Sequence, residues 1–176
     1  MRTIRIIQTL YIISLAVLDL VLTALFKQVP IANSIFISNL AFMGLILLTR
    51  NDNIEDSVLR AAGLGLWMDM NHINSFPMYI TVYVLTVLFV RTWSSYLGYN
   101  LGEFIVMIII SLFFKEILLY IGLVFTQGYS IRFENYVSNR MFWVVLGNLV
   151  FIPIVRKTYD IAHMQIVKRA KNMYIR

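Results

Sequence analysis

Apolar runs follow one another through this chain almost from end to end, at residues 6–26, 31–49, 58–75, 76–93, 104–125 and 141–155, and the polar breaks between them are short. At about 1.5 Å per helical residue, roughly 20 residues cross the hydrocarbon of a bilayer, and most of the runs approach that length. In lipid every backbone N–H and C=O must be satisfied within the protein, which a helix does by itself. The pattern predicts an all-α integral membrane protein, a six-span helical bundle forming one transmembrane domain over 1–176 and ending in a basic cytoplasmic tail over 156–176.

Composition agrees. Sixty per cent of the residues are hydrophobic and 14% are charged, with a mean hydropathy of +0.77, which is more apolar surface than one small soluble core can bury. No Gly/Ser-rich or Pro-rich linker divides the chain, and no internal repeat stands out. The formal charge of +6 invites a nucleic-acid reading. However, the basic residues sit between apolar runs and at the two ends instead of forming one stripe, which is the signature of membrane topology, so no nucleic-acid partner is expected. There is no cysteine, which excludes disulfides, thiolate metal sites and thiol nucleophiles. The N-terminal Met-Arg-Thr-Ile-Arg and its apolar run look like a signal peptide, but no small-residue cleavage pattern follows, and the segment reads as a retained first span.

Orientation follows from the positive-inside bias. With both termini cytoplasmic, Arg2, Arg5, Arg50, Arg60, Arg91, Arg156, Lys157, Lys168, Arg169, Lys171 and Arg176 lie inside, against Lys27, Arg132 and Arg140 outside. The boundary aromatics Trp93, Tyr96, Tyr99, Tyr129 and Tyr136 agree with this placement. The third run is the most interrupted: Arg60 opens it and Asn71, His72 and Asn74 close it, so it spans only if packed inside the bundle or partly re-entrant. In the tail, Ile161, Met164, Val167 and Ala170 recur every three residues among Lys168, Arg169 and Lys171. Two readings stand for it: a weakly amphipathic helix that meets anionic lipid or a cytoplasmic partner, and a charged tail that only fixes topology.

An ionisable side chain at membrane depth costs about 2.5–3.5 kcal/mol on insertion scales, so each needs a reason. Asp19, Asp69, Lys115 and Glu116 are the four. Counting from each membrane entry, Asp69 and Glu116 reach a similar depth, roughly 16–20 Å, and Asn148 arrives there from the other side, so these three are expected to meet near the midplane. Lys115 and Glu116 are adjacent and point about 100° apart, so they are expected not to pair well, leaving Lys115 to bridge to Asp69 or Asp19. Ala61, Gly65 and Asp69, spaced by four, share one helical stripe that lets a second backbone approach closely. The stripe reads either as a polar packing clamp or as a proton or ion site; the clamp requires nothing beyond partners and is preferred.

Catalytic signatures are not found. His72 lies in a polar turn without a second ligand at i+4, His163 lies on the tail, and no phosphate-binding glycine loop, nucleophile elbow or H-E-x-x-H occurs. No enzyme, metal or cofactor is expected.

Three local patterns remain. Gly65-Leu66-Trp67-Met68-Asp69 ends the third run, Glu116 stands in the fifth, and Asn148 and Pro153 lie five apart in the last, followed by Arg156-Lys157. In length, order and placement they resemble the bacterial rod-shape-determining MreD family. Its pattern is a Gly, three apolar residues and Asp in the third span, an acidic residue in the fifth and an Asn-x-x-x-x-Pro ending. The chain departs from it in the Asn71-His72-Ile73-Asn74-Ser75 turn, where the family shows Gly and Ser, and in Lys115 beside Glu116.

The resemblance implies a non-catalytic scaffold of the cell-elongation machinery. Such a protein associates with the bitopic protein MreC and, through it, links MreB filaments to the synthases of lateral peptidoglycan, RodA and a class B penicillin-binding protein. It also implies a fold like that of the substrate-binding subunits of energy-coupling-factor transporters. The alternative is that the chain is itself such a vitamin-binding subunit, but the Ala-x-x-x-Ala docking motif typical of their first span is missing here, where Ala16 and Ala24 stand apart.

Overall fold

The computed structural model describes residues 2–26, 37–71, 77–98, 100–128 and 132–174, and these are helical almost throughout, with no strand among them. The expected start of the second span at Ile31, the turn containing His72 and Asn74, and the boundary residues Lys27, Tyr99 and Tyr129 lie outside the described residues. In chain order the helices are α1 (Arg2–Phe26), α2 (Leu40–Asn51), α3 (Ile54–Asn71), α4 (Met78–Trp93), α5 (Leu101–Gln127), the single turn α6 (Phe133–Tyr136), α7 (Phe142–Leu149) and α8 (Ile152–Tyr174). A π-helical turn, Val137–Met141, joins α6 to α7. At the far end of α5, Gly128 adopts the left-handed conformation (φ 59°) and returns its N–H to the Leu123 carbonyl, which closes the helix.

Three helical stretches are long and apolar enough to cross a membrane, Ile4–Leu25, Met78–Tyr96 and Leu101–Thr126, and a fourth results if Phe133–Leu149 and Ile152–Gln165, bent by 52°, are taken as one span. The other two expected spans do not qualify alone. Twelve residues give α2 a length of about 18 Å, short of the hydrocarbon core. Glu55, Asp56, Arg60 and Asp69 make α3 too polar. The loop expected over 50–57 shrinks to Asp52 and Asn53. The expected boundary between last span and tail, at 155/156, is no break, because α8 runs straight through it.

The bend has a local cause. Pro153 brings no N–H to the Leu149 carbonyl and its ring crowds that turn, so the helix stops at Leu149 and restarts at Ile152. Phe151 and Val155 carry the backbone across with N–H bonds to the carbonyls of Asn148 and Phe151.

At the centre lies α2, buried on every side from Leu40 to Thr49, and around it pack α1, α3, α4, α5 and α8. A helix apolar all round belongs in the interior, and here that interior is protein instead of lipid. The tightest pairing is α3 with α4. A Cβ on Gly65 would stand 2.5 Å from the Ile80 Cα, so only glycine allows the two backbones this close, with Ala61 fully buried one turn earlier.

The arginines read from sequence as topology markers also do structural work at one end of the bundle. Arg91 donates to the Thr49 and Asp52 carbonyls, closing the C-terminus of α2, and Arg50 does the same for the Leu97 and Gly98 carbonyls after α4. Arg60 pairs with Asp52 and donates to Gln8 Oε1 at 2.7 Å, while Arg5 meets Asp56 at 3.0 Å.

Candidate functional site

Two helices begin deep in the bundle, and each start leaves backbone N–H groups that water cannot reach. A carboxylate from a neighbouring helix meets each. Asp19 of α1 accepts from the Leu40 and Ala41 N–H groups at 2.7 and 2.8 Å and from the Ser38 hydroxyl at 2.5 Å. Asp69 of α3 accepts from the Tyr79 and Ile80 N–H groups of α4 at 2.9 and 3.0 Å. Both acids sit at the positive end of a helix dipole, where a negative charge is stabilised. Gly65 makes the second arrangement possible, because it brings the start of α4 within reach of the carboxylate one turn further along α3.

The extended residues just before α2 are served in the same way. Asn148 of α7 accepts the Asn39 N–H at 2.8 Å and donates to the Ile37 and Val144 carbonyls. Non-helical backbone at this depth persists only where protein groups replace water, and Asn148 supplies both an acceptor and a donor.

Glu116, fully buried on α5, is the centre of the charged part. Tyr136 donates to Oε2 at 2.8 Å, Arg140 Nε donates to the same oxygen at 3.1 Å, and Lys115 Nζ stands 3.0 Å from Oε1. Lys115 also donates to Asn39 Oδ1 and lies 5.3 Å from the centre of the Phe42 ring. Arg140 in turn reaches the Tyr79 hydroxyl and lies over the Tyr136 ring. A continuous network results. From Asp69 it passes through Tyr79, Arg140, Glu116, Lys115 and Asn39 to Asn148, with Asp19 joined through the start of α2. Three carboxylates, Asp19, Asp69 and Glu116, stand with two cations, Lys115 and Arg140.

Several expectations change. Asp69, Glu116 and Asn148 are all buried, but they do not converge: no direct bond joins them among the described residues, and intermediates connect them. Lys115 and Glu116 do pair, contrary to expectation, because both side chains are long enough to meet across 100°. The divergence survives in the geometry, since Glu116 Oε1 has an ion-pair neighbour but no well-directed hydrogen bond. Lys115 bridges to Asn39 and Glu116 and not to Asp69 or Asp19. Arg140, half-buried, also serves as a ligand of Glu116, and Tyr136 is a buried donor to the same carboxylate instead of a boundary aromatic. Pro153 is exposed and acts through the backbone.

Sequence reasoning missed Tyr136 and Arg140, though a signal was there: Tyr136, Arg140, Val144 and Asn148 recur every four residues. On a straight α-helix such a stripe drifts by about 40° per step. The wider π turn takes up the drift, so all four face inward. Ser38 and Asn39 carried no signal, since their role comes from where α2 begins.

Among the described residues no group of three or more His, Asp or Glu side chains is placed to hold a metal ion, and the His163 ring stacks beside Tyr159 at 5.8 Å. Each of the polar side chains above is engaged by another part of the chain. Chemically the arrangement holds helices in register. Comparison with known protein families, with curated proteins and with solved structures gave no match.

Proposed function

We propose that this chain is a non-catalytic scaffold of the bacterial cell-elongation machinery, a plasma-membrane protein that crosses six times with both ends cytoplasmic. On this reading it holds a bitopic partner of the MreC kind. Through that partner it coordinates MreB filaments with the lateral wall synthases, RodA and a class B penicillin-binding protein, while the basic tail faces anionic lipid. The observation that carries the reading is that the buried ionisable groups are matched from within the chain. Asp19 and Asp69 cap helices, Glu116 is shared by Lys115, Arg140 and Tyr136, and a rigid body with apolar flanks results. Such a body suits holding other membrane segments in place. The six-pass arrangement draws support from the residue pairs that join alternate helix ends. Gln8, Asp52, Arg60, Arg91 and Tyr159 gather at one end of the bundle, and Asp19, Asn39, Glu116 and Tyr136 lie toward the other.

Depletion in the native bacterium, combined with recovery of copurifying proteins, tests the scaffold. Rounded cells and a bitopic partner are expected; unchanged shape with no partner would overturn it. Saturable binding of a vitamin by the purified protein would transfer the chain to the transporter class.

A further inference from the structure

The two glycines of α3 differ in a way that internal packing does not explain. Gly65 is required by α4, whose backbone fills the space a side chain would take. At Gly63, nothing lies within 4 Å of where a Cβ would stand. Glycine is unfavourable in a helix interior, and no contact among the described residues accounts for it at Gly63.

Gly63 opens onto a cleft of about 430 Å³ between α1 and α3, which stand apart on either side of α2. Ile12, Ala16 and Leu64 line its floor, and Ile13, Leu59 and Trp67 are exposed along its rims. It follows both helices for nine residues, Thr9 to Val17 and Leu59 to Trp67, which is about 12 Å. Arg60 closes the foot of the cleft with its charge already taken by Asp52 and Gln8. Below it on the open face stands one more group. Glu55 stands one turn before Leu59, just outside the cleft, on a stripe that drifts about 40° per step to Gly63 and Trp67, and it is exposed with no hydrogen bond or ion pair among the described residues, whereas Asp52 and Asp56 are paired.

We infer that this cleft is the seat of a single membrane-spanning helix from another protein, whose small-residue face approaches Gly63 and whose cytoplasmic flank carries Lys or Arg. The inference rests on the scaffold reading and on its orientation. Bare helical backbone exposed on the wall of a groove is what close helix–helix packing in lipid uses. The flanks of membrane helices on the cytoplasmic side are enriched in Lys and Arg, and a lone acid at that end of the cleft complements such a flank. A lipid chain satisfies neither feature, having no backbone to bring close to Gly63 and no cation at a fixed height for Glu55.

Leu59 is exposed, with room for a probe, and the test uses the full-length protein in its native membrane. A benzophenone-bearing phenylalanine is installed at Leu59 or, as a control, at Ile121 on the lipid-facing side of α5. The expected product is an adduct at Leu59, at least tenfold above Ile121, whose mapped peptide lies within the sole membrane span of a second protein. Gly63→Leu fills the cleft and is expected to reduce that adduct at least tenfold with no drop in the thermal midpoint of the purified chain. Glu55→Lys is expected to reduce it at least fivefold, with recovery when the basic flank of the captured helix is made acidic. An adduct with a second copy of this chain, lipid adducts only, or equal yield from Ile121 overturns the inference. The two readings separate: a single-span adduct at Leu59 in cells whose shape survives depletion sinks the scaffold and keeps the cleft. A copurifying bitopic partner captured only through α5 does the reverse.

Discussion

Glu116 shows how a charge is kept inside a membrane protein. Two cations and a phenol share one carboxylate, and Glu116, Lys115 and Tyr136 are too buried for water to replace a lost partner, while Arg140 is half-buried. Removing one member of a buried pair costs about 3–5 kcal/mol, because the remaining charge stays desolvated. Glu116→Gln should therefore lower the thermal midpoint and the detergent-extracted yield strongly, and adding Lys115→Met should recover part of the loss. Losses that simply add in the double variant would mean that the ammonium and the carboxylate do not share an interaction. The glycines give a second comparison. Gly65→Ala drives a methyl into the α4 backbone and should cost about 1–3 kcal/mol. Gly63→Ala meets nothing and should gain up to about 1 kcal/mol through helix propensity. Thermal unfolding of the two variants side by side decides this, and equal effects would refute the close approach. Asp69 was legible from its place four residues after Gly65, because small residues followed by a carboxylate on one stripe mean a neighbouring backbone. Its target was not legible, since the N–H groups it caps belong to a helix start that hydropathy does not mark.

Among the elements, α1, α4 and α5 were readable because each satisfies its backbone alone and needs only length and apolarity. The stretch from Phe133 to Gln165 was not. Its first turns contain Glu134, Asn135, Ser138, Asn139 and Arg140, which read as an extracellular loop, and only the packing of Tyr136 and Arg140 onto Glu116 makes helix there. Here tertiary pairing overrides local composition. The start of α2 depends on its neighbours in the same way. Asp19→Ala leaves the Leu40 and Ala41 N–H groups without their acceptor, so hydrogen exchange at these two amides should accelerate at least tenfold while the amides of α5 keep their protection. Uniform acceleration throughout the bundle would show a global loss of stability instead of a lost cap.

At the scale of the whole molecule, α1, α4 and α5 are long and apolar enough to cross lipid unaided, whereas on the six-pass reading α2 and α3 need company. Insertion of α3 alone sets Arg60 and Asp69 against an apolar stretch of little more than three turns, and each central charge costs about 2.5–3.5 kcal/mol on insertion scales. In the folded chain that cost is offset locally. Asp52 and Gln8 take up Arg60, and the first N–H groups of α4 take up Asp69. The partners of Asp69 come from the helix that follows directly, whereas those of the α2 start include Asn148, more than a hundred residues later. The order of dependence is therefore asymmetric: α3 should become stable in the membrane as soon as α4 exists, while the polar entrance to α2 stays incomplete until α7 arrives. Glycosylation-site mapping in a host protein reads this directly. Residues 54–71 alone should insert in a minority of chains, residues 54–93 as a hairpin should insert in most, and Asp69→Leu should raise the first figure while changing the second little. Efficient insertion of 54–71 alone, at the level of Leu101–Gln127, would mean that α3 crosses on its own apolarity, and the capping of α4 by Asp69 would then be a consequence of membrane placement and not its cause.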